Sequence, residues 1–216
     1  MTANGPSAPA LIARELLCIR GDEVVFEDLS LTARGGEIWQ IAGANGAGKT
    51  SLLRILAGLA PAAGGSLAWR GRPITVGAEH LRRDLTYLGH LPGVTGFLSV
   101  LENLVYALRL GAAARVSAEH ALAEVGLGDQ LHAPARPLSA GQRQRLALAR
   151  FVAGETPLWI MDEPLTALDA DGRALVERLL DAHARAGGLA IVSTHQALAV
   201  DAAPLRRFEF PTRAAA

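Results

Sequence analysis

Apolar positions recur along this chain with two periods. Leu11–Arg20 and Val24–Leu31 are rich in β-favouring residues and flank Gly21-Asp22, which predicts two strands joined by a tight turn. Ile38–Ala42 is a short apolar run that enters a glycine-rich stretch. From Thr50 to Ala60 the period becomes helical, with Leu52, Leu53, Leu56 and Leu59 on one stripe. Gly65–Trp69 and Gly71–Ile74 predict a further strand pair, and Thr86–Leu88 another short strand.

Between about Pro92 and Pro137 the strand-like runs stop. Leu98–Leu110 and Ser117–Val125 read as helices, and Ser99 with Glu102 has the spacing of a capping box. This stretch is expected to be a helical subdomain. Beyond it come helix Ala140–Ala153, strand Leu158–Met161, helix Asp171–Ala186 and strand Leu189–Ser193. Strands that alternate with helices predict an α/β fold with a mainly parallel sheet. Residues 1–10 and 211–216 read as tails, which leaves 11–210 as one domain. At ~150 residues per domain, 216 residues make a single unit with a subdomain.

Composition removes several classes. Half the residues are hydrophobic and 19% charged, so the chain is not disordered as a whole. A net charge of zero gives no bulk attraction for nucleic acid, which is not expected as a partner. A single cysteine, Cys18, forbids an internal disulfide framework. No run of 18 apolar residues suggests a membrane span, and the first ten residues lack the pattern of a signal peptide. The chain is therefore expected on the cytoplasmic side.

The basic residues are 20 arginines and one lysine, Lys49, and that lysine lies in the clearest motif. Gly43-Ala44-Asn45-Gly46-Ala47-Gly48-Lys49-Thr50 fits the phosphate-loop pattern, between an apolar strand and a helix. Glycines let backbone N–H groups approach phosphates, and the helix adds its positive end. A compact ammonium fits inside such a loop where a planar guanidinium does not. Lys49 is expected at the β- and γ-phosphates and the Thr50 hydroxyl on Mg²⁺. Leu158-Trp159-Ile160-Met161-Asp162-Glu163 is an apolar strand that ends in two acids, where α/β folds bind ligands. Asp162 suits the metal and Glu163 the general base that takes a proton from the attacking water.

Leu138-Ser139-Ala140-Gly141-Gln142 at the start of a helix resembles the signature of ABC-type ATPases. Thr166-Ala167-Leu168-Asp169 resembles their D-loop and Ser193-Thr194-His195 their switch-histidine motif, in the family's order. The resemblance covers roughly 11–210. It implies a P-loop NTPase fold of the ABC nucleotide-binding type: a parallel-sheet core, an antiparallel β subdomain and an inserted helical subdomain. ATP would bind at Gly43–Ser51 with Mg²⁺. Two copies would stack head to tail, so that Ser139, Ala140, Gly141 and Gln142 of one meet the ATP of the other. His195 would contact the γ-phosphate and help hold Glu163.

Two positions depart from the family pattern. His90, in Tyr87-Leu88-Gly89-His90, stands where a glutamine is usual; it either reaches the metal's water or only lines the subdomain hinge. Arg20 stands where an aromatic usually stacks on adenine; it either stacks its guanidinium plane or is a solvated strand-end arginine. With Cys18-Ile19-Arg20, the Trp159 strand and Ser193-Thr194-His195-Gln196, these residues resemble one branch: the ATP-binding subunits of the haem-exporter-type ABC complexes of bacterial cytochrome c maturation.

That branch implies a homodimer, peripheral on the cytoplasmic face of the inner membrane. It would couple ATP hydrolysis to delivery of haem or release of a haem-loaded chaperone. The integral subunits are expected to dock at Leu91–Leu98, an apolar run beside the helical subdomain. Cys18 and the histidines form no haem-attachment motif, so no stable haem binding is expected. Two readings stay open beside this one: an ABC subunit for another substrate, and a soluble ABC ATPase. Soluble members usually carry two cassettes or a basic appendage, and neither is present here.

Overall fold

The computed structural model describes residues 9–111, 114–201 and 203–210. In chain order it has β1 (Pro9–Arg20), β2 (Glu23–Arg34), β3 (Ile38–Ala42), α1 (Lys49–Leu56), β4 (Gly64–Trp69) and β5 (Arg72–Pro73). Then come α2 (Glu79–Asp84), β6 (Leu85–Leu88), α3 (Val100–Leu110), α4 (Ala118–Glu124) and α5 (Ala140–Ala153). The last elements are β7 (Leu158–Asp162), α6 (Ala170–Arg185), β8 (Leu189–Ser193) and β9 (Leu205–Glu209). One sheet is antiparallel, in the order β2-β1-β4-β5; the other is parallel, in the order β6-β7-β8-β3-β9.

The central strands β7 and β8 are apolar up to their last residues, Asp162 and Ser193, because both faces are covered. In β7, Leu158 and Ile160 join the cluster shared with α1 and the antiparallel sheet, whereas Trp159 and Met161 join the cluster under α3–α6. β8 splits in the same way, Leu189 and Ile191 against Ala190 and Val192. Strict alternation thus feeds two cores from one sheet. The stretch 92–137 carries α3 and α4 and packs on α5. The capping box at Ser99 is formed: its Oγ accepts from Glu102 N at 3.2 Å and its N–H donates to Glu102 Oε2 at 2.7 Å.

Several boundaries differ from expectation. Pro9 and Ala10, read as tail, open β1; residues 1–8 and 211–216 lie outside the described residues. The helix expected over Thr50–Ala60 closes at Leu56, because Gly58 turns left-handed at φ 65°. Leu59 N then donates to Arg54 O at 2.8 Å and Gly58 N to Ile55 O at 2.9 Å, the paired bonds of a glycine-terminated helix. The strand expected over Gly71–Ile74 is reduced to Arg72–Pro73. Neither α2 nor β9 is predicted by the apolar pattern, since α2 buries only Leu81 and β9 is an exposed edge.

Candidate functional site: a triphosphate cleft at the carboxyl edge of the parallel sheet

Each motif but the signature and the D-loop falls at the C-terminal end of a parallel strand, where open α/β sheets bind ligands. Gly43 follows β3, Asp162 ends β7, Thr194 and His195 follow β8, and His90 lies just past β6. A cleft of about 1350 Å³ opens between β2 and the ends of β3, β6 and β7; Gly43, Thr194 and His195 are not among its lining residues, and His195 reaches it only through Glu163. Ala44 to Ser51, Asp162, Glu163, His90 and Arg20 all line it.

The phosphate loop is squeezed into shape. Gly48 has φ 107°, and a Cβ there would come within 2.7 Å of Val25 Cγ1 on β2. Only glycine fits both constraints. Gly48 caps α1 without a side-chain bond, so the first N–H groups of the helix face the cleft without a competing side-chain acceptor. Lys49 is buried, and its Nζ donates to the carbonyls of Gly43 (2.7 Å) and Ala44 (3.0 Å). These bonds hold the ammonium across the loop that surrounds it.

Asp162 is 2% exposed and bonded on both carboxylate oxygens. Thr50 Oγ1 donates to Oδ2 at 2.8 Å and Ser193 Oγ to Oδ1 at 2.6 Å. Two hydroxyl donors offset part of the cost of burying this charge. The carboxylate raises the neighbouring Tyr87 phenol above its ordinary pKa, second to burial as the cause. Ser193 also accepts through Oγ from Glu163 N at 3.0 Å, which ties β8 to the turn that carries Glu163. Glu163 itself is held at φ 51°, a left-handed conformation uncommon for a residue with a side chain. Its Oε2 lies 3.2 Å from His195 Nδ1.

The signature residues Ser139, Ala140, Gly141 and Gln142, and Asp169, are not among those lining the cleft. Ser139 caps α5 in a second capping box: Ser139 N donates to Gln142 Oε1 at 2.9 Å, and Gln142 N to Ser139 Oγ at 3.2 Å. Asp169 caps α6 and accepts from Gly172 N (2.8 Å) and Arg145 Nη2 (2.7 Å). The Gly172 N–H, then Arg145, hold its carboxyl below the usual carboxylate range. A Cβ on Gly141 would meet the Ala167 carbonyl at 2.8 Å, so signature and D-loop pack on each other within the chain.

The family description "ABC transporter" matches residues 26–166. The cytochrome c biogenesis ATP-binding export protein CcmA of Methylococcus capsulatus is 50% identical over 192 residues, covering 88% of this chain and 93% of that protein. The chain belongs to the ABC transporter family. Within it, the chain is a CcmA-like ATP-binding subunit and an ABC-type ATPase. A solved ATP-binding subunit of an ABC transporter has a TM-score of 0.77 at 26% identity, over 86% of this chain and 79% of that one. A dimeric ATP-binding cassette in a post-hydrolysis state with ADP and phosphate has a TM-score of 0.75 at 23% identity, over 86% and 88%. The latter likeness is one of fold.

In this ABC subunit several cleft residues were invisible to motif reading. Phe208 and Phe210 line the cleft from β9 and just beyond it. Phe210 packs edge-on against Phe26 with centroids 5.7 Å apart, and a Cβ on Gly43 would sit 3.0 Å from Phe210 Cβ. Glu27 and Asp28 of β2 also face the cleft. None belongs to a spaced motif, so nothing in the one-dimensional pattern points to them.

Proposed function

We propose that this chain is the ATP-hydrolysing subunit of an ABC complex of cytochrome c maturation. It couples ATP binding and hydrolysis to delivery of haem, or to release of a haem-loaded chaperone, across the membrane. The observation that carries this reading is the clustering of Lys49, Thr50, Asp162 and Glu163 in one cleft, with His195 Nδ1 3.2 Å from Glu163 Oε2. The branch rests on half-identity to proteins named for cytochrome c biogenesis export.

Gly43 to Ser51 hold the triphosphate: backbone N–H groups and the α1 terminus neutralise it, and Lys49 meets the β- and γ-phosphates. The Asp162 carboxylate and Thr50 hydroxyl, 2.8 Å apart, are hard oxygen donors that suit Mg²⁺, and His90 lines the same cleft as a candidate for its water shell. When bound, Mg²⁺ neutralises charge on the β- and γ-oxygens. Glu163 accepts a proton from the water that attacks the γ-phosphorus as the bond to ADP breaks. His195 orients that carboxylate. Arg20, at the rim of the cleft, offers its guanidinium plane to the purine. A second copy of the chain supplies Ser139, the Gly141 N–H and its α5 terminus to the γ-phosphate, so ATP and not ADP joins the two. The chain keeps no haem of its own; a stoichiometric haem absorption band on the purified subunit would contradict this.

The membrane subunits dock at Leu91–Leu98. Leu91 is 79% and Phe97 96% exposed, on a loop pinned by Asn103, whose Oδ1 accepts from Thr95 N at 2.9 Å. Such exposure costs about 2 kcal/mol of unrealised burial per side chain, which a partner recovers. Phe97→Asp is expected to reduce co-purification with the membrane subunits while nucleotide binding stays normal.

The deciding experiment is haem-peroxidase staining of cells whose only copy carries Lys49→Ala. Loss of c-type cytochromes with b-type retained is the expected result. Normal c-type levels would overturn the branch and leave the ABC-type ATPase in another pathway.

A further inference from the structure

We infer that Gln40 is a positioning residue for the switch histidine: from the strand that carries the phosphate loop, its carboxamide holds the backbone on both sides of His195. Gln40 sits inside β3, opposite Val192 of β8 and Arg207 of β9, and is 5% exposed. The rest of that strand is Ile38, Trp39, Ile41 and Ala42. A carboxamide there is costly unless it is bonded, and an aliphatic side chain would serve packing better. Its Nε2 donates to Gln196 O at 2.9 Å and to Thr194 O at 3.4 Å. The two N–H donors of one amide thus meet the two carbonyls that flank residue 195.

The position matters because of what happens at the end of β8. The strand stops at Ser193, and beyond it His195 has no ladder to hold it. Its side chain is 62% exposed, so packing does little to aim the ring. The direction of the imidazole toward Glu163 Oε2 is therefore set by the backbone of 194–196. That backbone is fastened by Gln40, by Thr194 N donating to Ile41 O at 3.4 Å, and by Gln196 N donating to Thr194 Oγ1 at 3.1 Å. The first two fasteners come from β3. The strand that aims the phosphate loop thereby also aims the histidine, and the two keep a common frame.

This inference rests on the reading of His195 as the group that orients Glu163, and the test separates the two. Steady-state ATP hydrolysis is measured on the full-length chain as wild type, Gln40→Met, His195→Ala and the double variant. Gln40→Met keeps the length of the side chain and removes the N–H donors. It is expected to lower kcat about tenfold while KM for ATP stays within about twofold, because a small misplacement beside the reacting atoms acts on turnover. In the His195→Ala background the same substitution is expected to change kcat by less than about twofold. If Gln40→Met does not fold, Gln40→Leu, which also offers no N–H, replaces it with the same expectations.

A kcat for Gln40→Met within twofold of wild type overturns the inference. So does a tenfold loss that persists in the His195→Ala background, which would mark general packing. Wild-type turnover in His195→Ala overturns the reading of the histidine, and the role of Gln40 with it.

Discussion

In the proposed function the cleft at the carboxyl edge and the N-terminus of α5 both meet phosphate, and they are built in opposite ways. The cleft is concave and its charges are buried and wired: Lys49 to two carbonyls, Asp162 to two hydroxyls, Glu163 to His195. At the signature end Ser139 and Ala140 are exposed, Ser139 and Gln142 bond each other's backbone, and Gln142 Nε2 donates to Gln130 Oε1 at 3.4 Å. A buried charge needs its partners inside the chain, or the desolvation cost is not met. An exposed helix terminus meets that need with water and can release the water to a ligand from outside. In the proposed dimer one region is a finished half-site and the other is the half that a second copy would use.

The largest expected effect separates the two regions by chemistry. Glu163→Gln removes the proposed base and keeps the shape of the cleft. Turnover should fall about 10²- to 10⁴-fold with ATP affinity retained. With the base gone, ATP should hold two chains together, so size-exclusion chromatography with ATP should show a dimer. Normal turnover would mean that another group takes the proton.

The next test loosens the scaffold that both regions share. His183 of α6 stacks on Trp159 of β7 at 3.8 Å, and its Nε2 donates to Leu189 O at 3.3 Å. Burial, the largest cause, lowers its pKa from 6.5 to about 4. The neutral ring is the folded form, so its stabilisation is complete above pH 6.5 and is lost as pH falls from 6.5 towards 4. That loss amounts to about 3 kcal/mol. Thermal melts of His183→Phe against wild type between pH 7 and pH 4.5 should show a shallower decline for the variant. Parallel curves would assign the acid sensitivity elsewhere.

The smallest effect is the most diagnostic of the comparison. Ser139→Ala removes a cap worth about 1 kcal/mol of helix stability. It should leave the affinity of a single chain for ATP unchanged, because Ser139 does not line its own cleft. In a Glu163→Gln background it should weaken the ATP-dependent dimer about tenfold, the share of one hydrogen bond to a charged group. A lower ATP affinity in the monomer would erase the distinction between the two regions.

The elements legible in the sequence were those whose environment is uniform along their length. β7 and β8 are buried on both faces and read as unbroken apolar runs. The loop Gly43–Thr50 was legible because phosphate contact demands particular residue types at fixed spacing. β9 escaped because it is an edge strand, Leu205-Arg206-Arg207-Phe208-Glu209, whose charged side chains face water and erase the alternation. Gln40 escaped for the opposite reason. A single polar residue in an apolar strand looks like an imperfection until its acceptors, which lie more than 150 residues away, are known.

By itself the sequence determined the fold class, the phosphate loop, the acidic strand end and the family, since each depends on local residue types and their order. Only the tertiary structure decided which strand ends meet. Thr50 and Ser193 find Asp162 across 112 and 31 residues, Phe210 closes the back of the loop, and Gln40 reaches the histidine turn. Those contacts arise because parallel pairing of β7, β8 and β3 brings their carboxyl ends to one edge. Sheet order is a property of the packed layers and is written in no single stretch of the chain.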